Sequence, residues 1–115
     1  MTPQETAELV CEVLADKKAN DIVTLDITDM TVIADYVVIA SGRSTTQVKA
    51  LADYVDEKFS GLGIEPLRRE GISEGRWVVL DYGSVIVHIF NDETRMFYCL
   101  ERLWNNGANV KKYEQ

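Results

Sequence analysis

The chain of 115 residues has two cysteines, two prolines and one histidine, and no apolar run approaches the roughly 20 residues needed to span a bilayer. Each shortage narrows the function. Cys11 and Cys99 lie far apart on segments that read as amphipathic helices, so they look like small buried hydrophobes and imply no disulfide framework. One histidine with two distant cysteines does not make a closed zinc site, and no cofactor or metal is expected. The glycines match neither G-x-x-x-x-G-K-[ST] nor G-x-G-x-x-G, so the phosphate-cradling loops are absent. Ser41-Gly42-Arg43-Ser44 could accept an anion at a helix start, but a serine-capped turn is the plainer reading. Two-metal phosphoryl or nucleotidyl transfer favours two acids at i and i+2 on one strand face, and nowhere are two acids separated by a single residue. Met1-Thr2-Pro3-Gln4-Glu5 has neither a basic n-region nor an apolar h-region, which makes the cytoplasm the expected address.

A basic excess is missing as well. Nineteen acids against twelve bases give a net charge of −7 and a pI near 4.6, which disfavours phosphate backbones. Sequence-specific nucleic-acid binding is therefore not expected, nor is a membrane partner. Residues 1–60 hold eleven acids and five bases, so a basic partner should be drawn mainly to that half.

What is present reads as one α/β domain over residues 1–104, followed by a polar C-terminal tail, 105–115, that is expected to fray. Thr2-Pro3-Gln4-Glu5 is a capping box with proline at the first helical position, and Leu9, Val10, Val13 and Leu14 follow at helical spacing. The β-branched run Ile22–Ile27 and the apolar run Tyr36–Ala40 read as strands, the second buried on both faces. Ser44 and Gln47 form a second capping box before the stripe Val48, Leu51, Ala52, Val55, Phe59 and Leu62. Leu67-Arg68-Arg69-Glu70 suits a charged edge strand. Arg76–Phe90 reads as a hairpin. With its loop centred on Tyr82-Gly83, partner numbers sum to 165, giving an apolar face of Val78, Leu80, Val85, Val87 and Ile89. The opposite, mixed face sets Trp77 against His88, Val79 against Ile86 and Asp81 against Ser84. A last helix capped by Asn91 or Asp92 carries Met96, Phe97, Leu100, Leu103 and Trp104. The order α-β-β-α-β-β-β-α predicts a mixed sheet of about five strands with flanking helices, the strands on either side of the long second helix running parallel.

His88 could serve as a base beside Asp81 or a cysteine, but a lone strand histidine is more often packed and hydrogen-bonded. Cysteines on buried helix faces are poor nucleophiles. Aromatics form the other constellation on the hairpin and last helix. Phe97 and Trp104 fall on the helical stripe and read as core; Tyr98 falls off it, and Trp77 falls on the mixed face, where an interface role competes with packing.

The stretches Asp35–Gly42, Glu70-Gly71, Trp77–Gly83, Val87–Phe90 and Arg95–Trp104 resemble the ribosomal silencing factor family, also called RsfS or Iojap, over about residues 5–104. Ser84 stands where that family usually has an acid. The resemblance implies a nucleotidyltransferase-like α/β fold without the metal-binding acids, and a protein that is not an enzyme. It implies binding to ribosomal protein L-fourteen on the joining face of the large ribosomal subunit. The consequences it implies are steric block of subunit joining, repression of translation when nutrients are scarce, a role in late large-subunit assembly, and homodimers when free. By motif position the expected partner-binding residues are Trp77, Asp81, His88, Tyr98 and Asp35. The alternatives are a small nucleotide-binding enzyme of nucleotidyltransferase ancestry and a constitutive homodimer acting as an assembly scaffold.

Overall fold

In the computed structural model, which describes residues 1–113, Thr2 opens the first helix as its capping box requires. Its hydroxyl accepts from the Glu5 backbone N–H at 3.1 Å, and Glu5 accepts from the Thr2 N–H at 2.8 Å. Helix α1 spans Pro3–Asp16, followed by strands β1 (Asn20–Asp26) and β2 (Tyr36–Gly42). Ser44 caps helix α2, Thr45–Ser60, through the Gln47 N–H; the Gln47 side chain accepts from Arg43 rather than from the cap residue, so the second box is only half formed. Strands β3 (Arg68–Glu70), β4 (Trp77–Asp81) and β5 (Val85–Asn91) come next, then helices α3 (Asp92–Tyr98) and α4 (Glu101–Trp104) and strand β6 (Val110–Lys112).

The sheet order is β3-β4-β5-β2-β1-β6, with β2 parallel to β5 and the other pairings antiparallel. The expected α/β class and mixed sheet are observed, with six strands instead of about five. The strands flanking α2, β2 and β3, do point the same way, but β4 and β5 lie between them, and the parallel hydrogen-bonded partner of β2 is β5. The sixth strand comes from the segment expected to fray. Asn109 holds its start: its amide donates to the Asp26 and Trp104 carbonyls, at 2.8 and 2.7 Å, and its own carbonyl accepts from the Asp26 N–H. Residues 114–115 of that tail lie outside the described residues.

Two apolar cores lie on opposite faces of the sheet. Under α1 and α2 sit Val38, Ala40, Val78, Leu80, Val85, Val87 and Ile89, packed on Val10, Leu14, Leu51, Val55 and Phe59. The other face buries Val23, Leu25, Ile27, Val37, Ile39 and Phe90, with Leu100 and Trp104 packed on them. Strand β2 is therefore buried on both faces, as its unbroken apolar run predicts. Among the described residues no helix is long and apolar enough to cross a membrane.

The hairpin register differs from expectation by two. Val79 faces His88 and Trp77 faces Phe90, so partner numbers sum to 167 and the loop is Gly83-Ser84, with Gly83 at φ +84°. A shift of two leaves every side chain on its expected face, because side chains alternate with period two. The last helix is not continuous. Cys99 takes left-handed backbone (φ 48°) between α3 and α4, and Arg95 pairs with Glu101 at 3.2 Å across the break. Residues six apart do not meet on an unbroken helix, so this ion pair belongs to the bend.

Candidate functional site

Helix α4 and the 27–35 segment cover the β1 and β2 end of the second sheet face. The part made by β4 and β5 is only partly covered, leaving Trp77, Val79, Asp81, Ile86 and His88 half-buried while their neighbours on the opposite face are sealed. Trp77 is the centre of an aromatic group. Its ring stacks on the fully buried Phe90 at 4.9 Å between centroids and meets Tyr98 at 5.0 Å, while Phe97 stands edge-on to Tyr98 at 5.1 Å. Trp77 Nε1–H donates to His88 Nδ1 at 3.0 Å.

The group opens onto exposed apolar surface. Met96, Phe97 and Tyr98 are 79, 81 and 55% exposed, and Leu103 is largely bare. The helical stripe predicts a core position for Phe97, and the bend at Cys99 is the reason it does not take one. The bend turns Leu100 and Trp104 onto the second core, which bears out the expectation of packing for Trp104, and leaves the outer side of α3 unpartnered. Val32 and Ile33 in the 27–35 segment are exposed too. Contiguous bare aromatic and aliphatic side chains on a small domain mark an interaction surface.

The five residues expected to bind a partner fall into two groups. Trp77, His88 and Tyr98 come together. Asp81 lies four residues along β4 from Trp77, about 13 Å at strand rise, at the turn end of the hairpin. There it accepts from the Gly83 N–H at 2.8 Å and pairs with Arg68 at 3.3 Å, which makes it a turn-holding residue. Asp35 sits at the same end, its N–H donating to the Ser84 carbonyl at 2.8 Å.

Two supports of the aromatic group, Gly71 and Arg95, fall in stretches that carry the resemblance, but the sequence does not assign them this role. Gly71, at φ +79°, lies so close to β4 that a Cβ there would stand 1.9 Å from the Trp77 carbonyl oxygen, so the approach that seats Trp77 requires glycine. Arg95 is almost wholly buried beneath the α3–α4 bend. Its Nη1 donates to the Asp21 carbonyl at 2.6 Å and to Ser41 Oγ at 2.8 Å, while Nε and Nη2 hold Glu101. An arginine in an apolar stripe is the only hint of this role in the sequence.

Burial pushes the His88 pKa down to about 4, which keeps the imidazole neutral at physiological pH. Neither thiol joins it. Cys11 lies in the core on the opposite face, its Sγ 3.2 Å from Thr24 Oγ1 and its pKa raised by burial; Cys99 Sγ donates to the Met96 carbonyl at 2.9 Å. Among the described residues no group of three or more His, Cys, Asp or Glu side chains could hold a metal ion. The face presents aromatics, one fixed imidazole and bare aliphatics, and no catalytic constellation is assembled on it among the described residues.

A family model described as "Ribosomal silencing factor during starvation" matches residues 1–115. The chain is similar to the ribosomal silencing factor RsfS of Halalkalibacterium halodurans, at 38% identity over 96% of this chain and 95% of that one. It is similar to the protein of the same name from Bacillus subtilis, at 36% identity over 93 and 91%. A mouse relative named "Mitochondrial assembly of ribosomal large subunit protein 1" is 30% identical over 84% of this chain and 44% of its own length. Among solved structures, a crystal structure of a protein from Chromobacterium violaceum superposes with a TM-score of 0.88 at 36% identity, covering 95% of this chain and 92% of that one.

Proposed function

The chain belongs to the ribosomal silencing factor family, and on that premise we propose that it silences by occupancy, docking its outer β4–β5 face and α3 on ribosomal protein L-fourteen of the large subunit. The observation that carries this is the Trp77, Tyr98 and Phe97 group, open to solvent and continuous with bare Met96. A modest interface with an aromatic centre is enough for a specific complex. Bound on the joining face, a domain of 13.0 kDa excludes the small subunit by volume, without turnover or cofactor. Translation is thereby repressed under nutrient limitation.

The charge fits this partner. The net charge of −7 steers the chain as a whole toward a basic ribosomal protein and away from indiscriminate rRNA contact, while the docking face itself lies outside residues 1–60, the more acidic half expected to draw a basic partner. The same face explains a homodimer when the chain is free, since exposed aromatics without a partner can cover one another. A contribution to late large-subunit assembly follows from occupying that protein early, and the name of the mouse relative supports it. The chain works in the cytoplasm, where ribosomes are.

Sedimentation tests the reading. The purified chain should pellet with isolated large subunits and be depleted from joined ribosomes. Equal recovery with both, or recovery with neither, would refute it.

A further inference from the structure

Trp77 and His88 interact on the outer face in a way that fixes more than their packing. Indole Nε1–H is a donor with no acceptor capacity, so the imidazole nitrogen 3.0 Å away must present a lone pair. A neutral imidazole has one donor and one acceptor nitrogen; with Nδ1 accepting, the proton resides on Nε2. The side chains placed beside the ring are Trp77, Phe90 and Ile86, with Val79 across β4 and Ile39 across β2, none of them titratable. Among the described residues Nε2 has no hydrogen-bond partner, and it is not one of the polar atoms sealed from the surface. The face therefore carries one uncharged, unpartnered N–H donor among aromatics.

We propose that His88 Nε2–H donates to a backbone carbonyl oxygen of the docked ribosomal protein and so sets the register in which that protein seats against Trp77 and Tyr98. The inference rests on the proposed docking and adds the chemistry of one contact. A carbonyl is favoured over a carboxylate by the surroundings. One neutral donor satisfies a carbonyl, whereas a carboxylate pressed among Trp77, Tyr98 and Phe97 would be a desolvated charge without a counter-charge. The imidazole itself offers a partner's donors nothing, because the lone pair of His88 is already taken by Trp77.

Two measurements test it. With the chain labelled in ¹⁵N, its only histidine gives one pair of ring-nitrogen resonances, and at pH 7 Nε2 should carry the proton with Nδ1 bare. A proton on Nδ1 overturns the proposal. The second measurement is affinity for isolated large subunits. His88→Asn can accept from Trp77 but cannot reach outward, and His88→Phe can do neither; both should weaken binding by about tenfold. His88→Gln, whose amide nitrogen stands near the Nε2 position, should recover most of that loss. Equal binding by the Asn and Gln variants, or full binding by the folded Phe variant, overturns the contact. Proton uptake on binding that His88→Gln abolishes would place a carboxylate opposite His88, contrary to the proposal. If the parent chain fails to bind large subunits, the docking itself fails, while the ¹⁵N result still decides the tautomer.

Discussion

Trp77 Nε1–H donates to His88 Nδ1 across the outer face of the hairpin, and burial holds that imidazole neutral, with its pKa pushed down to about 4 from an ordinary 6.5. The folded chain therefore binds fewer protons than the unfolded chain between pH 6.5 and 4. Stability is level above that window with respect to this group, and falls as pH falls through it, by up to about 3 kcal/mol. Chemical denaturation at pH 7.0, 6.0 and 5.0 should show this loss, and His88→Gln should flatten it. Glu5 and Asp26, whose hydrogen bonds to Thr2 and Thr28 lower their pKa values, lose their contributions only at more acidic pH. A parent profile flat to pH 5 would contradict the burial of a neutral imidazole.

Trp77→Ala removes the ring that touches Phe90, Tyr98 and His88. Affinity for purified ribosomal protein L-fourteen, measured by calorimetry, should fall by about 1–3 kcal/mol. Unchanged affinity in a folded variant would assign Trp77 to packing alone.

Gly71→Ala places a methyl group 1.9 Å from the Trp77 carbonyl oxygen at φ +79°. The start of β4 must shift, at a cost of more than about 2 kcal/mol, and Trp77 moves with it. Gly63→Ala is the control: φ is +78° there but no atom lies within 4 Å, so only the backbone penalty of about 1 kcal/mol applies. Equal thermal shifts for the two variants would show that the close approach is unimportant.

Arg95→Met leaves the Asp21 carbonyl, Ser41 Oγ and Glu101 without their shared donor. Glu101 is about one-third exposed, so the loss should sit at the low end for a broken buried pair, about 3 kcal/mol. Docking should weaken as well, since Arg95 braces the bend that presents Met96, Phe97 and Tyr98. Leu80→Ala, in the core on the opposite face, should cost about 2–5 kcal/mol yet leave docking by the folded fraction intact. If both variants dock alike, Arg95 acts only on stability.

Much of the sheet is legible in the sequence because its signals are local. Alternation along Trp77–Asp81 and Val85–Phe90 identifies which side chains share a face, and an even error in register cannot change that. The loop position is less legible, since Tyr82-Gly83 and Gly83-Ser84 are both plausible turn pairs and tertiary packing of Tyr82 on Phe59 separates them. The break at Cys99 has no glycine to announce it. The forces that set it are long-range, Arg95 reaching Asp21 and Ser41, and they turn a helical stripe into half core, Leu100 and Trp104, and half exposed surface, Met96 and Phe97. Strand β6 is three residues long and two of them are lysines, so only its pairing with β1 reveals it. Within the site, Trp77, His88 and Tyr98 converge as one cluster, whereas Asp81 and Asp35 stand at the turn end of the hairpin, where the Asp81 carboxylate holds the turn and Asp35 is tied to Ser84 through its backbone N–H.

The most direct test of silencing by occupancy is light scattering of purified small and large subunits brought to joining conditions. Added first to the large subunits, a stoichiometric amount of the chain should suppress the rise in scattering without any nucleotide, and Trp77→Ala should restore it. Full joining in the presence of saturating chain would contradict the proposed function outright.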